Sequence, residues 1–433
     1  MKTVAFRTFG CKLNQAETAS LVREFEERGY RVVPWDRDAD VFVLNSCTVT
    51  DRSDVKCRQS IRHVLRKNPR TTVIVIGCYS QVAAEEVRRI PGVDYIIGTQ
   101  DKFRLFDHFR SPGKRTRVRV AVSPVFCLTD AISREGNYGD RTRAFLKIQD
   151  GCDHGCAYCI VPSARGPSRS VLPDVVLGQA QNLIERDFKE IVLTGVHIGR
   201  YGHDLADDLS LVTLLERMLG LDGLGRIRLS SLDPEEITDT LLGCIAGSEK
   251  ICRHFHVPLQ SGCDAILSRM GRRYSVDVYR RKIKKIVALM GDAGLGTDVI
   301  VGFPGETEEF FGETVEFIEE LPFTYLHVFP YSRRRGTDAD SFEDQVEPRV
   351  RMERARGLRT LAKKKREEYL AKWEGRVVQV LFEGREDGKW MGGFSGEYFR
   401  VQVPHAEELR NRLVSVRIEG KGPSVLRGSI VQT

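Results

Sequence analysis

The chain has 433 residues, 41% hydrophobic and 29% charged; this is a soluble globular composition in a chain too long for one ordinary core, so two to three domains are expected. It has no run of about 18 apolar residues and no long apolar stretch near its start, so neither a membrane span nor a signal peptide is expected, and its eleven cysteines point to a reducing cytoplasm and metal ligands rather than disulfides. The net charge of +7 is uneven: Arg349 to Lys372 holds ten Lys/Arg against three Asp/Glu, and Arg110, Lys114, Arg115, Arg117 and Arg119 form a second basic stretch, which suits either a phosphate-rich partner or a solvated helix face.

The first hundred residues alternate strand and helix signals. Strands are expected at Val4–Phe9, Val41–Asn45, Val73–Gly77 and Tyr95–Gly98, and helices at Gln15–Arg28, Asp51–Lys67 and Gln81–Ile90. Short apolar strands between helices predict a parallel sheet covered on both faces. Cys11, Cys47 and Cys78 each follow one of these strands. Ligands in open α/β sheets bind beyond the carboxyl ends of the strands. One such thiol would be an ordinary core residue, but three at equivalent topological positions are a candidate metal site.

Residues 110–140 read as a linker, after which a second α/β series begins. Its strands are expected at Ala144–Ile148, Ile191–Thr194, Ile227–Ser230, Phe255–Val257, Thr297–Val301 and Tyr325–Phe329, with helices near 175–187, 209–219, 235–245, 275–292 and 307–320. Six β/α units predict a partial barrel whose chemistry lies in the loops at the strand ends. The first such loop carries Cys152, Cys156 and Cys159 at the spacing Cys-x3-Cys-x2-Cys. With this cysteine content a random shuffle yields that spacing roughly 0.007 times. Three thiols can hold three irons of a four-iron cluster and leave the fourth open to a small-molecule ligand. Zinc is the competing metal, although its structural sites usually pair two Cys-x2-Cys knuckles and a second knuckle is missing here.

Several other strand ends carry distinctive residues. Gly195 closes the second barrel strand, where glycine lets a ligand approach the backbone, and Ser230 ends the third. His256, Pro258, Gln260, Ser261 and Gly262 end the fourth, Gly302-Phe-Pro304-Gly305-Glu-Thr follows the fifth, and Tyr331-Ser332 with Arg333 and Arg335 forms a cationic rim at the sixth. His256 reads as a core histidine, and Cys57, Cys127, Cys244, Cys252 and Cys263 as ordinary thiols. Glu347–Trp373 reads as a long basic helix. Beyond Gly375, strands at Arg376–Phe382, Tyr398–Val403, Leu413–Glu419 and Ser424–Ile430, with Gly392-Gly393 among the turns, predict a small β-barrel.

The Cys152 loop, with Tyr158 in the aromatic slot, resembles the radical S-adenosylmethionine (SAM) signature. Along essentially its whole length the chain resembles the methylthiotransferase family, through Phe9-Gly-Cys-Lys-Leu-Asn-Gln-Ala-Glu, Asn45-Ser-Cys-Thr-Val-Thr, Gly77-Cys-Tyr-Ser-Gln, His256-Val-Pro-Leu-Gln-Ser-Gly and Val301-Gly-Phe-Pro-Gly-Glu-Thr. The resemblance implies an N-terminal cysteine domain over 1–112, a radical SAM domain with the basic helix over 138–370, and an RNA-binding TRAM-like barrel over 371–433. It implies two [4Fe-4S] clusters, one on Cys152, Cys156 and Cys159 with SAM at its open iron, the other on Cys11, Cys47 and Cys78 supplying sulfur. Tyr158, Gly195, Ser230, Gln260, Gly302, Pro304 and Gly305 would then contact SAM, and Lys363, Lys364, Lys365 and Arg366 the RNA. Within the family the N-terminal motifs look like the MtaB branch, which methylthiolates carbon 2 of N6-threonylcarbamoyladenosine at position 37, in the anticodon loop of tRNA. A reductant such as flavodoxin or ferredoxin is implied, and a monomer is expected. The alternatives are isopentenyladenosine at the same position, a ribosomal-protein aspartate, and a non-catalytic iron–sulfur sensor of RNA.

Overall fold

The computed structural model describes residues 1–125, 142–205, 208–386, 388–422 and 425–431. Cys127 and most of the second half of the expected linker lie outside them. The N-terminal unit runs β1 (Thr3–Thr8), α1 (Lys12–Glu27), β2 (Arg31–Val32), β3 (Val41–Ser46), α2 (Asp51–Lys67), β4 (Thr72–Gly77), α3 (Cys78–Val82), α4 (Ala84–Arg88), β5 (Tyr95–Ile97), α5 (Leu105–His108) and β6 (Arg119–Ala121). Its six strands form one parallel sheet in the order β2-β1-β3-β4-β5-β6. Alternate residues serve opposite faces. Phe42, Leu44, Val73 and Val75 pack with Ile61 and Val64 of α2, whereas Val41, Val43, Ile74 and Ile76 pack with Leu21, Val22 and Phe25 of α1. Every residue of β3 and β4 is buried, as a sheet covered on both faces requires.

Two expectations change here. The helix expected at Gln81–Ile90 is two short helices, because Ala83 leaves helical geometry at φ −136° and ψ 41°. The expected linker contributes strand β6, which pairs with β5 at the edge of the first sheet. Its basic stretch is partly committed to folding: Lys114 Nζ pairs with Asp94 Oδ2 at 2.8 Å, and Arg115 N donates to Asp94 Oδ1 at 2.9 Å.

The second unit runs β7 (Arg143–Lys147), β8 (Gln149–Asp150), α6 (Val161–Arg165), β9 (Arg169–Ser170), α7 (Pro173–Glu185), β10 (Glu190–Thr194), α8 (Leu211–Leu219), β11 (Arg226–Leu229), α9 (Asp239–Ala246), β12 (His254–His256), α10 (Asp264–Arg269), α11 (Val276–Met290), β13 (Gly294–Val301), α12 (Glu308–Glu320) and β14 (Tyr325–Pro330). Its parallel strands form the series β7-β10-β11 and β12-β13-β14, joined by the bridges Ile227–Ile251 and Ser231–His256. This is the expected six-stranded partial barrel. One alternating set, including Leu146, Ile191, Leu193, Ile227, Leu229, Val299 and Val301, lies in the apolar core with the helices. The opposite set therefore faces the lumen.

Helix α13 (Pro348–Ala371) packs along β14. The chain ends in β15 (Val377–Glu386), β16 (Trp390–Ser395), β17 (Arg400–Pro404), β18 (Leu413–Lys421) and β19 (Leu426–Ile430), a closed barrel in the order β15-β16-β17-β19-β18. Gly392 and Gly393, read as a turn, lie inside β16; a Cβ at Gly393 would collide with the Leu381 carbonyl, so glycine permits the close strand approach. The turn after β16 enters the floor of the partial barrel. Arg226 donates to the Phe394 carbonyl at 2.9 Å, and Arg228 to those of Gly396 at 2.8 Å and Ser395 at 2.9 Å. No helix among the described residues is long and apolar enough to cross a membrane.

Candidate functional site

The Cys152 loop lies just beyond β8. Its turn is fixed by the backbone bonds Cys152 N to Gly166 O at 3.1 Å, Ala157 N to Met270 O at 2.9 Å and Cys159 N to Cys156 O at 2.9 Å. The three thiols are half-buried. Arg272 Nη1 donates to Cys156 Sγ at 3.5 Å, the His154 amide donates to Cys152 Sγ at 3.4 Å, and the His154 and His197 rings meet edge to face at 4.4 Å. Burial pushes the Cys156 thiol up, but the hydrogen bond from His154 and the charge of Arg272 outweigh it, and the thiol falls below its usual value. Burial and the neighbouring Cys156 and Cys152 push Cys159 up to about 12. Cys159 and Tyr158 open onto a cavity of about 190 Å³ shared with Gln260, Asp298, Ile300 and Tyr331, and with Thr50 of the N-terminal unit.

The other thiols gather at the carboxyl edge of the first sheet. Cys11 is exposed and immediately precedes α1, Cys47 is buried after β3, and buried Cys78 opens α3. Gly10 and Gly77 precede two of them in the left-handed region, at φ 94° and 95°. A Cβ on Gly10 would stand 2.6 Å from Cys47 Cβ and 2.7 Å from its Sγ, and one on Gly77 would stand 2.6 Å from Asn45 Oδ1. Only glycine lets these loops close over Cys47 and Asn45. Burial and the adjoining Cys78 and Cys11 push Cys47 up to about 12. Thiols that raise one another's pKa in this way lie close together, and a bound cation would stabilise them as thiolates.

The two cysteine sets are joined by packed helices. Helices α1 and α3 start at or beside Cys11 and Cys78; α6 starts two residues after Cys159 and packs on α3. From α6, Arg165 Nη2 donates to Asn14 Oδ1 at 2.6 Å, and its Nη1 donates to Glu17 Oε1 and Asp150 Oδ1, both at 2.9 Å. Lys102 Nζ pairs with Glu17 Oε2 at 2.5 Å, and Lys147 Nζ with Asp150 Oδ2 at 2.5 Å. Glu17, Lys102, Lys147, Asp150 and Arg165 are all buried. A second tie comes from Arg334 beyond β14, which pairs with Asp54 of α2 at 2.6 Å.

The lumen carries charge as well. Arg226 and Arg228 pair with Glu190, the latter at 2.8 Å, and Arg143 with Glu383 at 2.8 Å. Asp298 Oδ1 is 3.0 Å from both His256 Nε2 and His327 Nδ1, and Tyr325 Oη lies 3.0 Å from His256 Nδ1 and 2.8 Å from His254 Nε2. The ammonium of Lys12, at the start of α1, lies 5.6 Å from the Tyr398 ring.

Of the residues expected at a SAM site, Tyr158 and Gln260 line the cavity. Gln260 does so from a left-handed backbone at φ 65°. Ser230, just after β11, is buried, and its hydroxyl has no hydrogen-bond partner among the described residues. Gly195 is packed against the side chain and carbonyl of Gln149, Gly302 against Arg351, and Gly305 against Arg269 and Asp344; the Pro304 carbonyl accepts from Arg269 Nε at 3.2 Å. The glycine–proline loop also forms a seat for α13 and its preceding segment. The basic helix is also divided. Lys363 and Lys364 are exposed, but Lys365 Nζ caps α12 through the carbonyls of Glu319 at 2.9 Å and Leu321 at 2.7 Å, and half-buried Arg366 is directed among Tyr369, Tyr325 and Tyr398. Cys57, Cys252 and Cys263 are buried and Cys244 half-buried. Sequence reasoning missed His154, although it stands inside the cysteine loop. It also missed His197, Arg272 and Lys12; of these only Lys12, next to Cys11, carried a local signal.

Residues 3–98 match the Uncharacterized protein family UPF0004, and residues 146–318 the Radical SAM superfamily. The chain is 39% identical over 439 residues to the threonylcarbamoyladenosine tRNA methylthiotransferase MtaB of Bacillus subtilis (strain 168), covering 100% of this chain and 97% of that protein. It is 33% identical over 433 residues to the tRNA-2-methylthio-N(6)-dimethylallyladenosine synthase of Methylacidiphilum infernorum (isolate V4), covering 96% and 92%. In fold it resembles the radical SAM methyltransferase TsrM of Kitasatospora setae, solved with cobalamin and a [4Fe-4S] cluster, at a TM-score of 0.56 and 15% identity over 78% of this chain and 77% of that one. With both domains matched and relatives 33–39% identical over nearly the full length, the chain belongs to the radical SAM methylthiotransferase family.

Proposed function

We propose that this enzyme methylthiolates carbon 2 of N6-threonylcarbamoyladenosine at position 37 of tRNA. Cys152, Cys156 and Cys159 would hold one [4Fe-4S] cluster, and Cys11, Cys47 and Cys78 a second. The observation that carries this reading is the pairing of two three-thiol sites across one interface: α6, which begins beside Cys159, packs on α3, which begins at Cys78, and its Arg165 hydrogen-bonds to Asn14 and Glu17 of α1, which begins beside Cys11. When bound, the clusters and SAM supply the one-electron chemistry that an unactivated C–H bond requires and a source of sulfur. The donor sets suit this role: Arg272 and His154 favour the Cys156 thiolate, while burial pushes the Cys78 thiol up with the Arg165 charge opposing it, so that a bound cation would be needed to hold Cys78 as thiolate.

The chain's own residues position and shield the base. Tyr158, Ile300, Phe329 and Tyr331 give the cavity beside Cys159 an apolar wall that keeps bulk water from the reacting carbon. An adjoining groove of about 660 Å³ shares Thr50, Phe329, Tyr331 and Ser332 with that cavity and adds Arg52, Lys56, Arg351 and Arg359. A cationic groove running into an apolar pocket suits an RNA backbone whose single-stranded base is turned inward. Lys363, Lys364 and the C-terminal TRAM-like barrel would extend the phosphate contact. Nucleoside mass spectrometry of tRNA from cells with and without the gene tests the reading. Loss of the 2-methylthio form with accumulation of unthiolated threonylcarbamoyladenosine is expected. An unchanged profile overturns this substrate and directs attention to the dimethylallyl nucleoside or a ribosomal protein.

A further inference from the structure

We propose that Lys12 forms a carboxylate-binding subsite inside the barrel lumen, which selects an anionic substituent on N6 of the target adenine. The inference rests on the substrate class proposed above and deepens it. Lys12 begins α1, which packs against β7 and so covers one edge of the incomplete barrel. Its ammonium sits over the Tyr398 ring at 5.6 Å, within electrostatic range of Arg143 on β7, Glu190 on β10, Arg228 on β11 and Asp298 on β13. Charges on four barrel strands can surround one group only from within the lumen. The residue is half-buried, and protein encloses its ammonium on nearly every side.

The other charges around Lys12 are engaged. Glu190 takes Arg226 and Arg228, Arg143 takes Glu383, and Asp298 takes His256 and His327. Among the described residues Lys12 forms no ion pair and no hydrogen bond; its one polar contact is the face of Tyr398. A desolvated ammonium with only a ring face for company is destabilised, and an incoming carboxylate completes it. Asp298 lies within electrostatic range of Lys12 and also lines the cavity beside Cys159.

The chemistry of the candidate substrates differs at this point. A threonylcarbamoyl group ends in a free carboxylate, whereas a dimethylallyl group is a hydrocarbon. The carboxylate would pair with Lys12; the hydrocarbon would leave the cation buried and unpaired. A site built around a polar partner rejects an analogue that lacks it far better than an apolar pocket rejects an extra group.

The test measures binding of fluorescent anticodon stem-loops to the full-length, anaerobically reconstituted protein at fixed ionic strength. The RNAs carry threonylcarbamoyladenosine, its carboxylate methyl ester, or the dimethylallyl nucleoside, and product formation from each is recorded in parallel. The wild type should bind the free carboxylate about tenfold or more tighter than the ester. Lys12→Gln should bring that ratio close to one with affinity for the ester kept, and Lys12→Arg should retain it. A wild-type ratio near one overturns the subsite without needing any variant to fold. A ratio that survives in Lys12→Gln overturns the role of Lys12. If product forms from the threonylcarbamoyl RNA in either case, the substrate reading stands while the subsite falls. Product from the dimethylallyl RNA alone overturns both.

Discussion

Replacing Glu17 by Gln removes the carboxylate at the centre of the interface between the two cysteine sites while keeping its shape. Burial pushes this carboxyl up, but Arg165, Lys102 and Lys147 outweigh burial and hold it at about 2, down from 4.5. A displacement of that size corresponds to about 3 kcal/mol of stability. Because the folded value is depressed, the contribution is fully present above pH 4.5 and is lost as pH falls through about 2. Glu17→Gln also leaves the fully buried Lys102 without its partner, and breaking a buried pair from one side costs about 3–5 kcal/mol. Urea unfolding of the full chain at pH 7 should show a loss in that range, with faster hydrogen exchange in α1. Adding Lys102→Met removes the stranded ammonium and should restore at least half the loss, since Arg165 and Lys147 keep Asp150. A single variant within about 0.5 kcal/mol of wild type, or a double variant no more stable than the single, would refute the account of how the two sites are held together.

The remaining predictions concern chemistry and RNA. Cys156→Ala should abolish release of 5′-deoxyadenosine from SAM while iron persists at the other site; complete loss of iron would contradict two separate sites. Cys47→Ala should still cleave SAM yet form no methylthiolated nucleoside, and normal product would remove Cys47 from the sulfur-supplying set. Replacing exposed Lys363 and Lys364 by Ala should weaken tRNA binding and reduce the salt slope by up to about 0.9 for each phosphate that is no longer neutralised. Lys365→Ala should instead leave that slope unchanged and cost about 0.5–1.5 kcal/mol of stability, because its ammonium is bonded to two carbonyls at the end of α12. Equal changes in the slope from Lys363 and Lys365 would contradict this division.

What the sequence made legible depended on locality. Strands β3 and β4 stood out because two-sided burial leaves an uninterrupted apolar run, and the cysteines that follow them could be placed at one sheet edge by topology alone. The Cys152 loop was visible from spacing within eight residues. Partners distant in the chain were not visible: Arg165 reaches Glu17 across 148 positions and Arg334 reaches Asp54 across 280. The same limit affected residues read from composition. A run of Lys363, Lys364, Lys365 and Arg366 looks uniform, yet helical rotation sends the first two to solvent and the last two into the protein. Gly393 looked like a turn because sequence reveals the need for a missing Cβ but not which neighbour fills the space, here the Leu381 carbonyl of the adjoining strand.

The turn from Phe394 to Tyr398 gives the small C-terminal barrel an obligation beyond any contact with RNA. Its carbonyls satisfy Arg226 and Arg228, and the tightest approach on Gly294 is the Glu397 carbonyl. Deleting residues 371–433 would therefore uncork the catalytic chamber from below, admit water to the Glu190 ion pairs and remove the ring beneath Lys12. The barrel is thus no interchangeable cassette. A truncated enzyme without activity would report a flooded chamber as readily as a weakened grip on RNA, and grafting a foreign RNA-binding module would fail unless it carried a turn of the same shape.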